Sequence, residues 1–261
     1  MPMFDRAAYR ERIAYDGATA PTVATLRALR RAHLLAVPFE NLDIHLGRPI
    51  LLAEDRLFAK IVGRRRGGFC YELNGLFAVL LAELSFAVIL LAAQFPREAS
   101  RVAPEMDHLV LLVRPSDTDE PLLVDVGAGR DSFATPLATT TTAEQPQAGT
   151  GTSFRFEREG DRHRVLRRQG QGGWEPSYPI DWRPRVLVDF DDGRRSHQTS
   201  PDSTFPRGRV CTLMTPAGRV TLSERRLIET SGGVRTEREL PDEMAYVEAL
   251  RTRFGIDLGE G

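Results

Sequence analysis

One of the two cysteines lies in a sequence context that suits a nucleophile. Cys70 stands within RGGFCYELN (residues 66–74) and directly precedes a strongly apolar run. Two glycines permit a tight turn, so Cys70 is predicted to lie near a helix N-terminus. The dipole of that helix, together with the arginines at 64–66, is expected to lower the pKa of the thiol. The alternative is a buried structural cysteine, which is the commoner state of a lone cysteine.

A thiolate used in acyl transfer needs a base, and the base needs a group that orients it. His108 opens one predicted strand and Asp125 closes the next, with a turn between them. A hairpin with Arg114 opposite Asp119 puts His108 directly opposite Asp125, and a neighbouring register leaves the two diagonal. The spacing therefore predicts a carboxylate–imidazole hydrogen bond. The alternatives are a half-exposed histidine at a strand end and an aspartate that caps a turn.

The other histidines are weaker candidates for chemistry. They are predicted to lie on a helical face, in a loop, in a polar strand and in a polar loop, and in chain order they are His33, His45, His163 and His197. Neither an HExxH motif nor a pair of closely spaced cysteines occurs in the sequence. We therefore expect no metal site.

Composition restricts the class of protein. The 261 residues carry 35 basic and 36 acidic side chains, and this balance argues against a nucleic-acid partner. Lys60 is the only lysine, a bias that an arginine-rich codon usage explains. Two cysteines are too few for a disulfide scaffold, and the charged N-terminus does not resemble a secretory signal. We expect a soluble, cytoplasmic protein without a membrane segment.

The elements that must position these residues fall into two groups. The first 85 residues are mainly helical, with a start at Pro21-Thr22 and an apolar helix that follows Cys70 and ends near Ser85. Strand patterns follow, and a loop of small polar residues interrupts them. Predicted are a helix at Glu54–Val62, strands at Phe86–Ala92, His108–Val113, Pro121–Val126, Phe154–Arg158, His163–Arg167, Arg185–Phe190 and Val210–Met214, a loop at Thr139–Ser153 and a helix at Asp242–Phe254. Helices first and antiparallel strands later indicate an α+β fold.

At these residues the chain resembles the arylamine N-acetyltransferases. The segments that carry the resemblance are YRERIAYDG (9–17), VPFENLD (37–43), GRP (47–49), RRGGFCYELN (65–74), the strand at His108, DVGAG (125–129) and SPDSTF (200–205). Each is weak alone, but their order and spacing together are specific. The resemblance implies a cysteine-protease-like core with an N-terminal helical domain (1–85), a β-rich, barrel-like domain (86–195) and a C-terminal α/β lid (196–261).

The resemblance also implies roles for single residues. Cys70 would accept an acetyl group from acetyl-CoA, His108 would be its base, Asp125 would orient the imidazole, and an arylamine would then remove the acetyl group in a ping-pong cycle. The implied substrate-binding residues are Phe39, Ala128 and Phe205, and the implied cofactor-binding residues are Gly127, Gly129 and Thr204. Glu40 and Arg66 resemble a buried charged pair that holds the loop near the active site.

Departures from the family pattern leave a second function open. Ala128 stands where the family usually has an aromatic residue, Leu73 where it has a polar one, and Ser85 where glycine is more usual. A smaller residue at 128 would open the acceptor pocket, and the chain looks short toward its C-terminus. Both features suit the related amide synthases, which receive a polyketide chain from an acyl carrier protein and release it as a macrolactam. A non-catalytic binding module and a hydrolase are further alternatives.

Overall fold

The computed structural model describes residues 4–95, 106–129, 132–147, 151–159 and 162–259. Its N-terminal part is helical. The helices are α1 (Arg6–Arg12), α2 (Val23–Ala36), α3 (Leu42–His45), α4 (Glu54–Phe58) and α5 (Cys70–Glu83). The hydroxyl of Thr22 accepts from the N–H of Thr25, so α2 begins at the predicted residue. A π-helical turn, Ala59–Gly63, continues α4, and together they cover the helix predicted at Glu54–Val62.

Helix α5 forms the centre of the largest hydrophobic cluster. Its side chains are apolar on nearly all sides, and they pack between α1, α4 and strands of the neighbouring sheet. A helix that is apolar all round must be buried, as this one is. The chain leaves it through Ser85, whose φ of 65° lies in the left-handed region that favours glycine.

An eight-stranded antiparallel sheet follows and curves into a nearly closed barrel. Its spatial order is β5-β4-β3-β2-β9-β8-β7-β6. The strands are β2 (Ala87–Ala93), β3 (His108–Arg114), β4 (Leu122–Val124), β5 (Leu137–Ala138), β6 (Gln145–Gln147), β7 (Thr152–Glu159), β8 (Arg162–Gln169) and β9 (Glu175–Arg185). The barrel interior has its own apolar cluster, in which Phe154, Phe156 and Tyr178 are buried.

A smaller antiparallel sheet closes the fold, in the order β1-β10-β11-β12-β13. Its strands are β1 (Phe39–Glu40), β10 (Val210–Thr215), β11 (Gly218–Ser223), β12 (Arg226–Ser231) and β13 (Val234–Glu239). Helix α7 (Glu243–Phe254) contributes Leu250 and Phe254 to the cluster on one face of this sheet, and α6 (Asp191–Thr199) precedes it in the chain. The α+β class is confirmed. The division at residues 85 and 195 stays a prediction.

The predicted strand Arg185–Phe190 is wrong. Residues Leu187–Phe190 form a 3₁₀ turn, because the carboxylate of Asp189 accepts from the N–H of Val186 and starts a helical turn there. The α6 helix was missed, and His45 lies in the short α3 rather than in a loop.

The loop predicted at Thr139–Ser153 contains a strand. Residues Gln145–Gln147 pair with the beginning of β7, and residues 148–150 of that prediction lie outside the described residues. Within the described parts of the chain, every helix is too short or too polar to cross a membrane.

Candidate active site

Cys70 is the first residue of α5, as the sequence predicts, and it is 3% exposed. The carboxylate of Glu72 accepts from the N–H of Phe69 at 3.0 Å and so satisfies one free donor of this helix start. The other oxygen of Glu72 accepts from Nζ of Lys60 at 2.7 Å. The thiol therefore sits at a helix end that side chains hold in place.

His108 lies between the thiol and a carboxylate. Its Nε2 is 2.7 Å from Oδ2 of Asp125, and the ring also hydrogen-bonds to Cys70. Because Nε2 is occupied by Asp125, Nδ1 is the ring atom left to face the sulfur. All three side chains are buried. The structure thus brings together the three residues predicted to be catalytic.

The predicted hairpin register is wrong by two residues. Leu111 pairs with Val124 and Val113 with Leu122, so the extended ladder leaves His108 diagonal to Asp125 rather than opposite it. The connection is therefore longer than expected, and within it the N–H of Ser116 donates to the carbonyl of Pro21, just before α2. A shift by two keeps side chains on the same face, so contact survives.

Asp125 is held by donors that surround its carboxylate. Asn74 Nδ2 donates to Oδ1 at 2.9 Å, and the N–H of Gly127 donates to the same oxygen at 2.7 Å. Asn74 also accepts from the N–H of Val126 at 2.9 Å. A Cβ at Gly127 would lie 2.7 Å from Cα of Cys70, so only glycine fits this close approach. The amide of Gly127 therefore donates within the protein, and a role of Gly127 in cofactor binding stays a prediction.

Burial and charge have opposite effects on the pKa values of Cys70 and His108. Burial raises the pKa of the Cys70 thiol, and the hydrogen bond and charge of His108 lower it. Burial alone would lower the pKa of His108, but the charge and hydrogen bond of Asp125 raise it to about 10. The pKa of the Cys70 thiol is raised overall, whereas the helix start was expected to lower it. A protonated His108 is the group that favours the thiolate.

Arg30 supplies a buried positive charge behind the carboxylate. Its guanidinium donates to the carbonyls of Asp125, Phe133 and Ala134, and it lies 4.7 Å from the centre of the Phe133 ring. Burial lowers the pKa of Arg30 to about 10, against the opposing charge of Asp125. Arg30 therefore donates hydrogen bonds to the main chain on both sides of residues 127–129.

A second group of buried charges supports the helix start. Arg66 Nη2 lies 2.8 Å from Oε1 of Glu40, which is the pair that the sequence predicts. Arg66 also lies 3.0 Å from Asp43, and Nζ of Lys60 is 2.8 Å from the other oxygen of Asp43. The charge of Arg66 is balanced by these carboxylates, so it is not directed at the thiol.

The predicted substrate-binding aromatics meet beside the thiol. The rings of Phe39 and Phe205 have centroids 6.1 Å apart, and Phe205 also packs on Phe69 at 5.6 Å. Ala128 is 9% exposed and lies between Gly127, which packs on Cys70, and Gly129, which packs on Phe39. Thr204 is exposed and precedes the 3₁₀ turn at Phe205–Arg207.

A groove leads away from this place. A narrow cavity of about 10 Å³ is lined by Phe39 and Gly129, and it shares Ser132, Met214 and Arg219 with a larger groove of about 340 Å³. The larger groove lies between the barrel strands and the small sheet, and it is also lined by Arg167. Two arginine side chains on its walls make it a suitable place for an anionic group.

Sequence reasoning missed Asn74 and Arg30, which hold Asp125 in place. Asn74 stands one helical turn after Cys70, and a polar side chain at i+4 in an apolar helix is the signal that could have found it. Arg30 interrupts the apolar face of α2 in the same way. Across the described parts of the chain, no three His, Cys, Asp or Glu side chains come together as a metal site.

The chain is similar to acetyltransferases along most of its length. A family profile described as N-acetyltransferase matches residues 22–261. An arylamine N-acetyltransferase of Mycolicibacterium smegmatis is 36% identical over 98% of this chain and 93% of its own length.

Solved structures agree. The Salmonella typhimurium arylamine N-acetyltransferase has a TM-score of 0.90 at 30% identity and covers 98% of this chain and 93% of its own. The Mycobacterium marinum enzyme in complex with CoA has a TM-score of 0.87 at 35% identity, over 97% and 93%. Fold and sequence together make this protein an acyltransferase enzyme. It belongs to the arylamine N-acetyltransferase family, which confirms the resemblance seen in the motifs.

Proposed function

We propose that this protein moves an acetyl group from acetyl-CoA, through a thioester on Cys70, to the nitrogen of an arylamine. The observation that carries the proposal is the position of His108, which hydrogen-bonds to Cys70 on one side and to Asp125 on the other. This is the arrangement that nucleophile, base and orienting group require.

The first half of the reaction follows from the charges at the site. The Cys70 thiolate attacks the carbonyl carbon of the acetyl thioester, the bond from that carbon to the sulfur of CoA breaks, and the leaving thiolate takes the proton of the His108 imidazolium. The raised pKa of His108 keeps that proton available at neutral pH.

The second half returns the enzyme to its starting state. The amine nitrogen attacks the carbonyl carbon of the Cys70 thioester while neutral His108 accepts the proton of the nitrogen. The carbon–sulfur bond breaks, and the thiolate is released next to the imidazolium. Asp125 and its donor Asn74 keep the ring oriented through both halves.

The groove beside the site supports CoA as the donor. Arg167 and Arg219 line it, and a narrow cavity that shares part of its lining reaches Phe39 and Gly129. A solved relative carries CoA in its complex. We propose that Gly127, Gly129 and Thr204 lie along the path of the CoA arm. Gly127 also donates to Asp125 and packs closely on Cys70.

The relatives favour a small acyl group. Arylamine N-acetyltransferases match this chain over nearly its whole length. We therefore prefer acetyl transfer to macrolactam formation.

Mass spectrometry of the intact protein tests the proposal. After incubation with acetyl-CoA, the protein should gain the mass of one acetyl group, and addition of an arylamine should remove it and yield the acetylated amine. Cys70→Ala should abolish the gain. Cys211→Ala is the matched control, because Cys211 is also buried but lies on β10 in the cluster under α7.

Each result decides between the functions. No acetylated protein and no free CoA would refute the proposal. Acylation of Cys70 by a long-chain acyl thioester but not by acetyl-CoA would favour the amide synthase alternative. A thioester that water removes as fast as an arylamine would indicate a hydrolase.

A further inference from the structure

A second histidine touches the strand that carries His108. His197 lies on α6 and is 3% exposed, although its sequence context predicts a polar loop. Its Nε2 donates to the carbonyl of Asp107 at 2.9 Å and lies 3.5 Å from the carboxylate of the same residue. Asp107 immediately precedes His108. The ring of His197 is therefore one peptide unit from the residue proposed as the base.

A neighbouring tyrosine holds the preceding carbonyl. The hydroxyl of Tyr71 donates to the carbonyl of Met106 at 2.6 Å, and the ring of Tyr71 stacks on that of His197 at 5.6 Å. Two packed rings thus fix two consecutive carbonyls just before β3. A Cβ at Gly193 would lie 2.5 Å from the Tyr71 hydroxyl and 2.6 Å from the Met106 carbonyl, so α6 approaches this segment as closely as backbone allows.

The same imidazole supports the wall of the predicted acceptor pocket. The ring of Phe205 packs edge-on against His197 at 4.9 Å. The hydroxyl of Ser203 donates to the carbonyl of His197 at 3.2 Å and accepts from the N–H of Phe205 at 3.2 Å. The Ser203 bond is to the main chain of His197, so it is the placement of the Phe205 ring that depends on the imidazole.

The hydrogen bonds determine which ring nitrogen of His197 carries a proton. A carbonyl oxygen only accepts, so Nε2 must be protonated to donate to Asp107. Nδ1 lies 3.5 Å from Oγ of Ser203, whose single proton is donated to the carbonyl of His197. Nε2 is therefore the ring atom through which His197 binds the segment before His108.

We propose that His197 is a positioning residue that couples the Phe205 wall to the strand bearing His108. It acts through the Asp107 carbonyl on one side and through ring packing on the other. The inference rests on the proposed acetyl transfer. His197 sets where His108 meets the thiol and where the acceptor amine lies.

Two substitutions separate the two contacts. His197→Leu removes both the donor and the flat ring. His197→Gln keeps an amide donor at the position of Nε2 and loses only the ring. A displacement of reacting groups by about 1 Å can cost on the order of a hundredfold in rate. We expect His197→Leu to acylate Cys70 roughly ten- to a hundredfold more slowly with p-nitrophenyl acetate, and to show a raised KM for the arylamine.

Partial rescue is the signature of positioning. His197→Gln should recover most of the acylation rate, because the Asp107 carbonyl regains a donor, while the arylamine KM stays raised. Tyr71→Phe should slow acylation and leave the KM close to that of the wild type, because its ring remains. Tyr71→Phe also tests the inference if His197→Leu fails to fold.

A matched control is available in the helical domain. His33 is likewise fully buried, and its Nδ1 lies 2.9 Å from the hydroxyl of Tyr9, but it lies on α2 and packs on Phe77. His33→Leu should lower the free energy of unfolding without the split between acylation rate and arylamine KM.

Two outcomes would overturn the inference. One is a folded His197→Leu protein with wild-type acylation and KM. The other is equal loss in His197→Leu, His197→Gln and His33→Leu, which would show that burial of a histidine matters only for stability. A wild-type protein that p-nitrophenyl acetate and acetyl-CoA both fail to acylate would instead refute the proposed function.

Discussion

Replacement of Asn74 by alanine tests how the carboxylate of Asp125 is held. Asn74 donates to Asp125 and to the carbonyl of Leu109, and it accepts from the N–H of Val126. All of these groups are buried. Asp125 keeps other donors, so two buried partners lose this hydrogen bond. At about 1–3 kcal/mol each, we expect a loss of roughly 2–6 kcal/mol in the free energy of unfolding. At about 2 °C per kcal/mol for a chain of this size, Tm falls by roughly 4–12 °C.

Asn74→Ala should also lower the reactivity of Cys70. Without Asn74 the carboxylate of Asp125 keeps the Gly127 amide and His108 but loses the second donor to Oδ1, so its orientation is less restricted. We expect slower alkylation of Cys70 by iodoacetamide near neutral pH, measured on protein that circular dichroism shows to be folded.

Asn41 provides a closely matched control. Its amide donates to the carbonyls of Phe205 and Gly208 and accepts from the N–H of Val210, which is the same set of three hydrogen bonds in a buried side chain. Asn41→Ala should lose comparable stability and keep the wild-type pH dependence of Cys70 alkylation. If Asn74→Ala alkylates at the wild-type rate, or if both variants slow equally, the asparagine does not orient the triad.

Three further predictions concern single groups. Cys70 should react with iodoacetamide much faster than Cys211 near neutral pH, because burial raises the pKa of Cys211 well above its usual value; equal rates in a peptide map would contradict the proposed ion pair. Lys60→Met should lower the free energy of unfolding by about 3–5 kcal/mol in urea titration, since it leaves buried carboxylates without their partner; a loss below about 1 kcal/mol would show that the pair is replaceable. Because the folded pKa of His108 is raised to about 10, its stabilisation is complete below the unfolded value of 6.5 and is lost as pH rises through 10. Asp125→Asn should flatten that alkaline loss, and an unchanged slope of stability against pH would exclude His108 as its cause.

Residue types and local spacing were enough to predict that Cys70, His108 and Asp125 lie together. Cys70 follows a glycine pair and opens an apolar helix, and both signals are local in sequence. His108 and Asp125 were placed within reach although the register was wrong by two, because a strand repeats its faces every two residues. The α+β class followed from the order of helical and strand patterns.

What sequence alone could not provide depends on contacts between distant segments. Arg30 reaches the segment after Asp125 from 95 residues away, and nothing near it in the chain indicates its partner. His197 stands in a polar stretch, so its burial became visible only once α6 packed on Tyr71 and Asp107. Burial also reversed the expected direction of the pKa of Cys70, because the cost of removing a charge from water depends on the whole fold.

The single lysine has a consequence for how acylation is read out. Lys60 is enclosed by Asp43 and Glu72, and it is held protonated because the charges of its carboxylate partners outweigh the effect of its burial. A protonated amine is not a nucleophile, and arginine does not acylate under mild conditions. Apart from the α-amino group, the chain therefore offers activated esters and thioesters no reactive amine. A measurement of covalent acetylation on this protein is therefore free of a background from surface lysines.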